Sequence, residues 1–462
     1  MSEVVTLLNC ARDAALRYIA GVDARDVMPT QAALAELATL REAMPSTPSD
    51  PVAVIRELDR AGSQATVSTI GGRFFGFVVG GALPVTVAAN WLAAAWDQNA
   101  GNFILSPIAA ELEDVAAGWL LELFDLPRDA VVGFVTGSTM GSFSSFAAAR
   151  SELLRRIGWD AKRRGLNGAP KLRIVASEEI HPTNLAALGY AGFGLEDVEY
   201  CPTDPQGRII PELMPPLDDR TIVIVQAGNI NSGACDPLDK ICALARAAGS
   251  WVHVDGAFGL WARASRRLRG MTEGLELADS WSVDGHKWLN LPQDSAIYGC
   301  RDGDAINEVF GVEATYLVRD ERRQPNTFTP ELSRRARGIE FWAALKTLGR
   351  SGVEEMIDRC CSHARHFAQG LAFAGYEILN DVVLNQVSFC CQDEPATRSA
   401  LKYIQESGVT WLGPTHWKGR FAMRISVSSW ATTEEDVERS LRVMTDAFDR
   451  QHQSEVSHKF NR

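Results

Sequence analysis

The sequence predicts an α/β protein with a mostly parallel central sheet that is covered by helices on both faces. Six short apolar runs bounded by turn residues have the character of buried strands, at 131–137, 171–177, 221–227, 251–256, 280–285 and 295–300. Helical segments lie between several of them, at 139–157, 182–190 and 237–248. This alternation is typical of a parallel sheet, in which ligands bind at the carboxyl ends of the strands.

A helical region precedes this alternation. Residues 1–65 have amphipathic helical spacing that is interrupted at residues 45–48, and the segment 107–125 also has strong helical spacing. We therefore expect an N-terminal helical segment over residues 1–70 and a large domain over residues 71–345.

The pattern changes again beyond the large domain. A long helical segment leads to extended runs at 375–391 and 421–429, and a final helix follows. Thr432 and Glu435 have the spacing of a capping box at the start of that helix. We expect a small C-terminal α+β domain over residues 346–462.

Composition excludes several classes of protein. The 462 residues carry 46 Lys and Arg against 58 Asp and Glu, a formal charge of −12, and 46% of them are hydrophobic. These values exclude a disordered or collagen-like chain. They also argue against nucleic acid or an anionic membrane as a partner, because no basic field is available to attract phosphates.

Nine scattered cysteines, with no C-x-x-C motif, predict neither a disulfide framework nor a metal site. The N-terminus has no signal-peptide pattern, and we expect a cytoplasmic location.

Residues 74–96 form an uncharged stretch long enough to cross a bilayer, but it contains several glycines, Pro84 and Asn90. We expect a buried soluble helix there rather than a membrane span.

The first candidate for chemistry is Asp284-Gly285-His286-Lys287-Trp288, which directly follows a predicted strand. A lysine at the end of a buried strand is costly unless it is paired, modified or part of a site. A covalent link to an aldehyde cofactor removes that cost, because the link replaces the ammonium group. The alternative is that Lys287 extends into solvent from a surface turn.

Asp255 ends another apolar strand and is followed by the small residues Gly256 and Ala257. A carboxylate in this position can keep a pyridine nitrogen protonated, so that the ring accepts electrons. Small residues let such a ring lie close to the backbone. By itself, the same residue is equally typical of an aspartate that caps a turn.

Two strand-to-helix junctions complete the set. The segment 136–142 combines glycines and hydroxyls before an alanine-rich helix, which suits an anion, although it lacks the lysine of a P-loop. His181 begins the second junction, His181-Pro182-Thr183-Asn184. A lone histidine there is more often structural.

Together these motifs resemble the group II pyridoxal-phosphate (PLP) decarboxylases, which include aromatic-amino-acid, glutamate and histidine decarboxylases of PLP fold type I. The segment 135–150 matches the family's phosphate loop, and residues 228–255 keep its spacing. Residues 333–342 resemble its Arg-Arg segment. Further matches lie at 73–77 and 106–113.

The resemblance implies a role for each matching residue. Lys287 would form the internal aldimine, Asp255 would pair with the pyridinium nitrogen, and His181 would stack on one face of the ring. The other residues expected to hold the cofactor are Ala257 on the second face, Ser138, Thr139 and His286 at the phosphate, Asn229 near the ring hydroxyl and Ser333, which the family brings from the second subunit. The substrate pocket would be lined by Phe74, Phe75, Phe77, Val78 and Phe328.

The resemblance also implies an obligate homodimer with an intertwined N-terminal region, and each active site would be completed by the second subunit. Such an interface would explain the uncharged stretch at 74–96. No nucleic acid, membrane or metal is implied.

Three departures from the family stand out. Asp284 replaces an asparagine on the phosphate side, and its carboxylate would repel a phosphate unless it is protonated or turned away. Met140 replaces an acid, and Ile230 replaces a threonine. Between Tyr316 and Ser333 the catalytic loop is short and contains no further tyrosine, whereas a tyrosine there supplies a proton in aromatic-amino-acid decarboxylases.

The leading hypothesis is α-decarboxylation of an L-amino acid to an amine and CO2 by a PLP-dependent lyase. Because the loop tyrosine is absent, oxygen-dependent conversion to an aldehyde stays open, as do transamination, C–C lysis and a non-catalytic scaffold. The substrate is undecided: the pocket aromatics favour an apolar side chain, and Arg319, Arg322 and Arg323 would suit an acidic one. A solvated face is the simpler interpretation of those arginines.

Overall fold

The computed structural model describes residues 2–312 and 322–460. The N-terminal region is helical, as expected. Side-chain caps from Thr30, Asp50 and Ser106 begin three of its helices, and the last two of these also have a proline in the first turn. The five helices are α1 (Ser2–Gly21), α2 (Gln31–Glu36), α3 (Pro51–Gly62), α4 (Pro84–Trp96) and α5 (Pro107–Leu123).

A seven-stranded sheet forms the centre of the large region. Its strands are β1 (Val131–Val135), β2 (Arg173–Ser177), β3 (Val198–Cys201), β4 (Thr221–Gln226), β5 (Trp251–Asp255), β6 (Ser280–Asp284) and β7 (Ala296–Cys300). The order is β1-β7-β6-β5-β4-β2-β3, and only β7 runs antiparallel to its neighbours. The predicted mostly parallel sheet is confirmed.

The helices that accompany this sheet are α6 (Ser138–Arg156), α7 (Ala161–Arg164), α8 (Pro182–Tyr190), α9 (Leu238–Ala248) and α10 (Gly303–Phe310). Strand β3 was not predicted. It lies at the edge of the sheet, where Glu199 and Tyr200 are not buried, so its sequence lacks the continuous apolar run that marks the inner strands.

The C-terminal region contains a four-stranded antiparallel sheet in the order β10-β11-β9-β8. Its elements are α11 (Gly338–Ala374), β8 (Glu377–Ile378), β9 (Gln386–Cys390), α12 (Glu394–Glu406), β10 (Gly413–Trp417), β11 (Arg420–Ser426) and α13 (Glu434–Phe460). Gly349 interrupts α11 with a positive φ of 58°, close to the boundary expected at residue 345.

The predicted capping box of the last helix is wrong by one residue. Thr433 and Asp436 exchange the capping hydrogen bonds, from Thr433 N to Asp436 Oδ2 (3.0 Å) and from Asp436 N to Thr433 Oγ1 (3.2 Å). Thr432 is buried, and its hydroxyl donates to the carbonyl of Gly72. The two adjacent threonines fit the capping-box spacing nearly equally well, and only their burial shows which of them caps the helix.

The uncharged stretch 74–96 contains only the thirteen-residue helix α4. Within the described ranges, no helix is both long and apolar enough to cross a bilayer.

Candidate active site

The carboxyl ends of β5 and β6 lie side by side because the two strands are parallel neighbours. They deliver Asp255 and Asp284 to the same edge of the sheet, where α6 and α8 also begin. A cavity of about 200 Å³ opens there. Its lining includes seven predicted cofactor residues: Ser138, Thr139, His181, Asp255, Ala257, His286 and Lys287.

Two predicted cofactor residues do not line this cavity. The Asn229 carboxamide accepts hydrogen bonds from the backbone of Asn231 (2.8 Å) and Ser232 (3.2 Å), so it shapes a turn. Ser333 is exposed, and its hydroxyl accepts from Asn99 Nδ2 (3.1 Å). Its expected role at the second subunit stays a prediction.

The Asp255 carboxylate is held by two neutral donors. Asn184 Nδ2 donates to Oδ2 (2.6 Å), and the backbone of Ala257 donates to Oδ1 (3.1 Å). The residue is only 7% exposed, so these donors fix the carboxylate without neutralising its charge. The sequence placed Asn184 in the His181 motif but gave it no role, because nothing local shows that the motif reaches a strand end 71 residues later.

The hydrogen bonds of His181 favour one tautomer of its neutral ring. This residue caps α8, and its Nδ1 accepts a hydrogen bond from the backbone N–H of Thr183 (3.3 Å). Nδ1 also lies 2.7 Å from the Thr183 hydroxyl, and both contacts are satisfied when the neutral ring carries its proton on Nε2. Burial lowers the pKa of His181, which favours the same neutral form.

Asp284 also lines the cavity and binds the first residue of α6. Its Oδ1 accepts from Ser138 N (2.6 Å), and its Oδ2 accepts from the Ser138 hydroxyl (2.7 Å). Lys287 Nζ lies 2.8 Å from Oδ2, and His286 Nε2 lies 3.8 Å from Oδ1. Burial acts to raise the pKa of Asp284, but Lys287 and His286 outweigh it, so the pKa is lowered and the carboxyl is ionised.

Arg424 is a candidate site residue that the sequence did not reveal. It lies on β11, and its guanidinium donates to the carbonyl of Ile230 (3.0 Å), a residue of the cavity lining. Burial lowers the pKa of Arg424 to about 10, so it stays charged at neutral pH. Among the described residues no carboxylate forms an ion pair with it. In the sequence, the signal that could have identified Arg424 is a charged residue inside the apolar run 421–427.

The lysine-bearing turn is bonded to two distant parts of the chain. The carbonyl of Asn290 accepts from Leu83 N (2.8 Å). The Asn290 side chain donates to Ser428 O (3.0 Å) and accepts from Trp430 N (2.9 Å). A Cβ atom at Gly80 would overlap the Lys287 carbonyl, so only glycine allows this approach.

The predicted pocket aromatics lie just before Gly80. Phe74 and Phe77 stack on Trp411, with ring centroids 5.1 and 5.6 Å from it, and Phe77 is 67% exposed. Phe77 and Val78 have positive φ angles of 60° and 96°, which is strained for these residue types.

Two members of the predicted pocket lie elsewhere. Phe75 is fully buried and packs edge-on against Phe367 rather than lining the cavity around Lys287, and its expected place in the substrate pocket stays a prediction. The Val78 side chain is also in the core. Hydrophobicity alone does not separate neighbouring residues that point into the core from those that point out of it.

Of the arginines expected on a solvated face, Arg322 is exposed and Arg323 is not. The side chain of Arg323 is buried, 3.6 Å from Glu113, and it also donates to the carbonyl of Val132. Its guanidinium lies 4.4 Å from the ring of Phe328, whose carbonyl accepts from Tyr298 (2.8 Å). Phe328 therefore packs near β1 rather than at the cavity around Lys287.

Arg322 stacks over the ring of Phe103 at 3.7 Å. Tyr316 and Arg319 lie outside the described residues.

The cavity suits pyridoxal phosphate. An amine for the aldehyde and a carboxylate for the ring nitrogen face one space, together with a helix N-terminus for the phosphate. The cavity is comparable in size to a small cofactor ring with its substituents. Asp284 is the single residue whose charge opposes the fit.

Comparisons with known proteins agree with this geometry. The family model described as the pyridoxal-dependent decarboxylase conserved domain matches residues 36–392. The chain is 27% identical over 343 residues to the acidic amino acid decarboxylase GADL1 of Mus musculus, covering 70% of this chain and 61% of the mouse protein. It is 26% identical over 428 residues to an aromatic-L-amino-acid decarboxylase of Bacillus atrophaeus, covering 87% of each.

Solved structures show the same fold. The Oryza sativa TDC structure with PLP and tryptamine superposes with a TM-score of 0.89 at 22% identity, over 97% of this chain and 98% of that one. A Rhodiola rosea 4-hydroxyphenylacetaldehyde synthase superposes with a TM-score of 0.85 at 20% identity, with the same coverage. The expected PLP fold type I architecture is confirmed.

Proposed function

Since the chain belongs to the pyridoxal-dependent decarboxylase family, we propose that it converts an L-amino acid into the corresponding amine and CO2, with pyridoxal phosphate bound covalently to Lys287. The observation that carries the proposal is that Lys287, Asp255 and His181 face one cavity. Lys287 lies beyond the end of β6 and Asp255 at the end of its neighbour β5, so both are held by the rigid centre of the sheet.

The bound cofactor supplies an electron-accepting ring, which takes up the electron pair released when the bond between Cα and the carboxyl group breaks. Asp255 keeps the ring nitrogen protonated and thereby maintains this capacity. Asn184 and the Ala257 backbone hold the carboxylate of Asp255 in one orientation. His181 and Ala257 also line the cavity and would hold the two faces of the ring.

The reaction needs a proton at Cα in place of the carboxyl group. His181 is neutral, and its Nε2–H is a good hydrogen-bond donor but a weak acid. The Lys287 amine would become free once a substrate amine takes its place, and it lies 2.8 Å from Asp284 Oδ2. We therefore assign proton delivery to Lys287, and orientation of the substrate carboxylate to His181.

Arg424 supports the same assignment. It is a cation without a carboxylate partner among the described residues, and it contacts the cavity wall at Ile230. The negative charge that would complete it is the α-carboxylate of the substrate. We propose that Arg424 binds this carboxylate together with His181, which sets the orientation of the bond that breaks.

The side chain of the substrate is best matched by an aromatic or large apolar group. The exposed ring of Phe77, stacked on Trp411, lies close in the chain to the contact between Gly80 and Lys287. Arg323, which would have suited an acidic side chain, lies 3.6 Å from Glu113 and does not line the cavity around Lys287. The curated relatives include both acidic and aromatic amino acid decarboxylases.

A second candidate is oxygen-dependent conversion of the amino acid to an aldehyde, with ammonia, CO2 and hydrogen peroxide as further products. It is favoured by the absence of a tyrosine between residues 317 and 332. A synthase of an aldehyde shares the fold, so the fold does not choose between the two outcomes. Peroxide formed in step with CO2 would support the aldehyde reaction.

A homodimer is the proposed assembly. Helix α1 has no buried residue and exposes Val4, Val5, Leu8, Leu16 and Ile19. Together with the exposed Trp91 and Trp96 of α4, this is more apolar surface than a soluble monomer usually leaves uncovered. Sedimentation of the purified chain, with Leu8→Glu as the variant expected to dissociate, tests this assembly.

The test of function is a screen of L-amino acids for CO2 release by the purified protein supplied with PLP. Wild type should show the visible absorbance of a covalently bound cofactor, and Lys287→Ala should lose both the absorbance and CO2 release. Lys402→Ala, a change at an exposed helical lysine, is the matched control and should behave as wild type. Retained absorbance in Lys287→Ala would refute the proposal.

A further inference from the structure

We propose that Asp284 competes with the phosphate of the cofactor for the N-terminus of α6, so that this protein holds pyridoxal phosphate more weakly than its other contacts would allow. The inference rests on the proposed function, because it concerns the same cofactor. It assigns to Asp284 a role as determinant of cofactor affinity.

The position of the Asp284 side chain is the first argument. Its carboxylate accepts both the backbone N–H and the hydroxyl of Ser138, at 2.6 and 2.7 Å. These are donors that an anion at the N-terminus of α6 would use. The carboxylate thus occupies the place of an anionic ligand. It also lies close to Gly137, the residue before α6, because a Cβ atom built there would be 3.9 Å from Asp284 Oδ1.

The backbone of Asp284 leaves the side chain little room to withdraw. Its N–H donates to the carbonyl of Ala257 (2.9 Å), and its carbonyl accepts from the indole of Trp261 (3.0 Å). The residue is 2% exposed and ends a fully buried strand. The carboxylate can rotate, but it stays beside the phosphate-binding residues.

The balance of charge changes when the cofactor binds. In the protein without cofactor, Lys287 lies 2.8 Å from Asp284 and compensates its charge. A covalent link to Lys287 removes the ammonium group, and the phosphate adds negative charge to the same buried region. Of the described basic side chains near Asp284, His286 then remains, 3.8 Å away, and burial lowers its pKa and so favours its neutral form.

The experiment compares two ligands in two variants. Dissociation constants for PLP and for pyridoxal, which lacks the phosphate, are measured by fluorescence in wild type and Asp284→Asn. Asparagine keeps an acceptor for Ser138 but removes the charge. Because any effect on the Lys287 amine acts on both ligands, the ratio of the two constants isolates the phosphate.

We expect the preference for PLP over pyridoxal to rise at least tenfold in Asp284→Asn. Asp302→Asn is the matched control, since Asp302 caps the N-terminus of α10 away from the cavity and its change should leave the ratio unaltered. An unchanged or reduced ratio in Asp284→Asn would overturn the inference. If neither ligand binds covalently to wild type, the proposed function fails as well.

Discussion

Asp255 and Asp284 end neighbouring parallel strands, both are buried, and both line one cavity. Their partners differ. Asp255 receives hydrogen bonds from two neutral donors, whereas Asp284 receives the Lys287 ammonium in addition to Ser138. The first carboxylate keeps an uncompensated charge that is available to a ligand, and the second has its charge satisfied within the chain. The same residue type at equivalent strand ends therefore serves opposite purposes.

The comparison shows that the role of a buried carboxylate depends on whether the groups that donate hydrogen bonds to it are neutral or cationic. Neutral donors orient a carboxylate and preserve its charge, which suits a protonated ring nitrogen. A cationic partner compensates that charge, and the carboxylate then takes the position that an anionic ligand would occupy.

The strongest test of this contrast is Asp255→Asn. We expect turnover to fall on the order of 10²–10⁴-fold, the range for loss of a group that controls proton placement. PLP should still bind, because Lys287 and the donors of α6 are unchanged. Single-turnover CO2 release and cofactor absorbance measure the two effects. Near-normal turnover would show that the two carboxylates do not differ in this way.

Arg424→Met tests whether the α-carboxylate of the substrate binds to Arg424. Hydrogen bonds to charged groups contribute about 1.5–3 kcal/mol, which predicts a KM roughly ten to a hundred times higher. The control is Arg420→Met on the same strand, where Arg420 pairs with the exposed Glu377 at 2.6 Å. Equal changes in KM for both variants would count against the assignment.

Asn184→Leu removes the amide donor of Asp255 at similar volume. We expect kcat to fall about tenfold, within the range for a hydrogen bond to a charged group, with KM nearly unchanged. Thermal stability should not fall by much, because Asn184 Oδ1 is buried without a partner. An effect on stability but none on kcat or on the cofactor spectrum would assign Asn184 a purely structural role.

The pH profile provides the smallest effect. Burial lowers the pKa of His181, so the neutral form persists as the pH falls below the ordinary value of about 6.5. Activity that depends on neutral His181 is therefore present above its lowered pKa and is lost only as the pH falls through that value. In kcat/KM profiles, this acid limb should lie below pH ~6.5 and should be absent in His181→Asn. An acid limb above that value would contradict the burial argument.

The sequence was sufficient for the strands and their end residues, because each inner strand is a short apolar run followed by polar residues. It was also sufficient to group Lys287, Asp255 and His181, since equivalent strand ends meet at one edge. It could not reveal Asn184 or Arg424 as partners, because their contacts depend on packing between distant segments. It also could not show that Phe75 packs into the core while Phe77 is exposed, since an aromatic run does not show which ring faces the core.

Asn290 joins the lysine-bearing turn to Leu83 on one side and to Ser428 and Trp430 on the other. The turn that carries Lys287 is thus hydrogen-bonded to the segment that follows the C-terminal four-stranded sheet, as well as joined to the central sheet. A displacement of either sheet would therefore be transmitted to the position of Lys287.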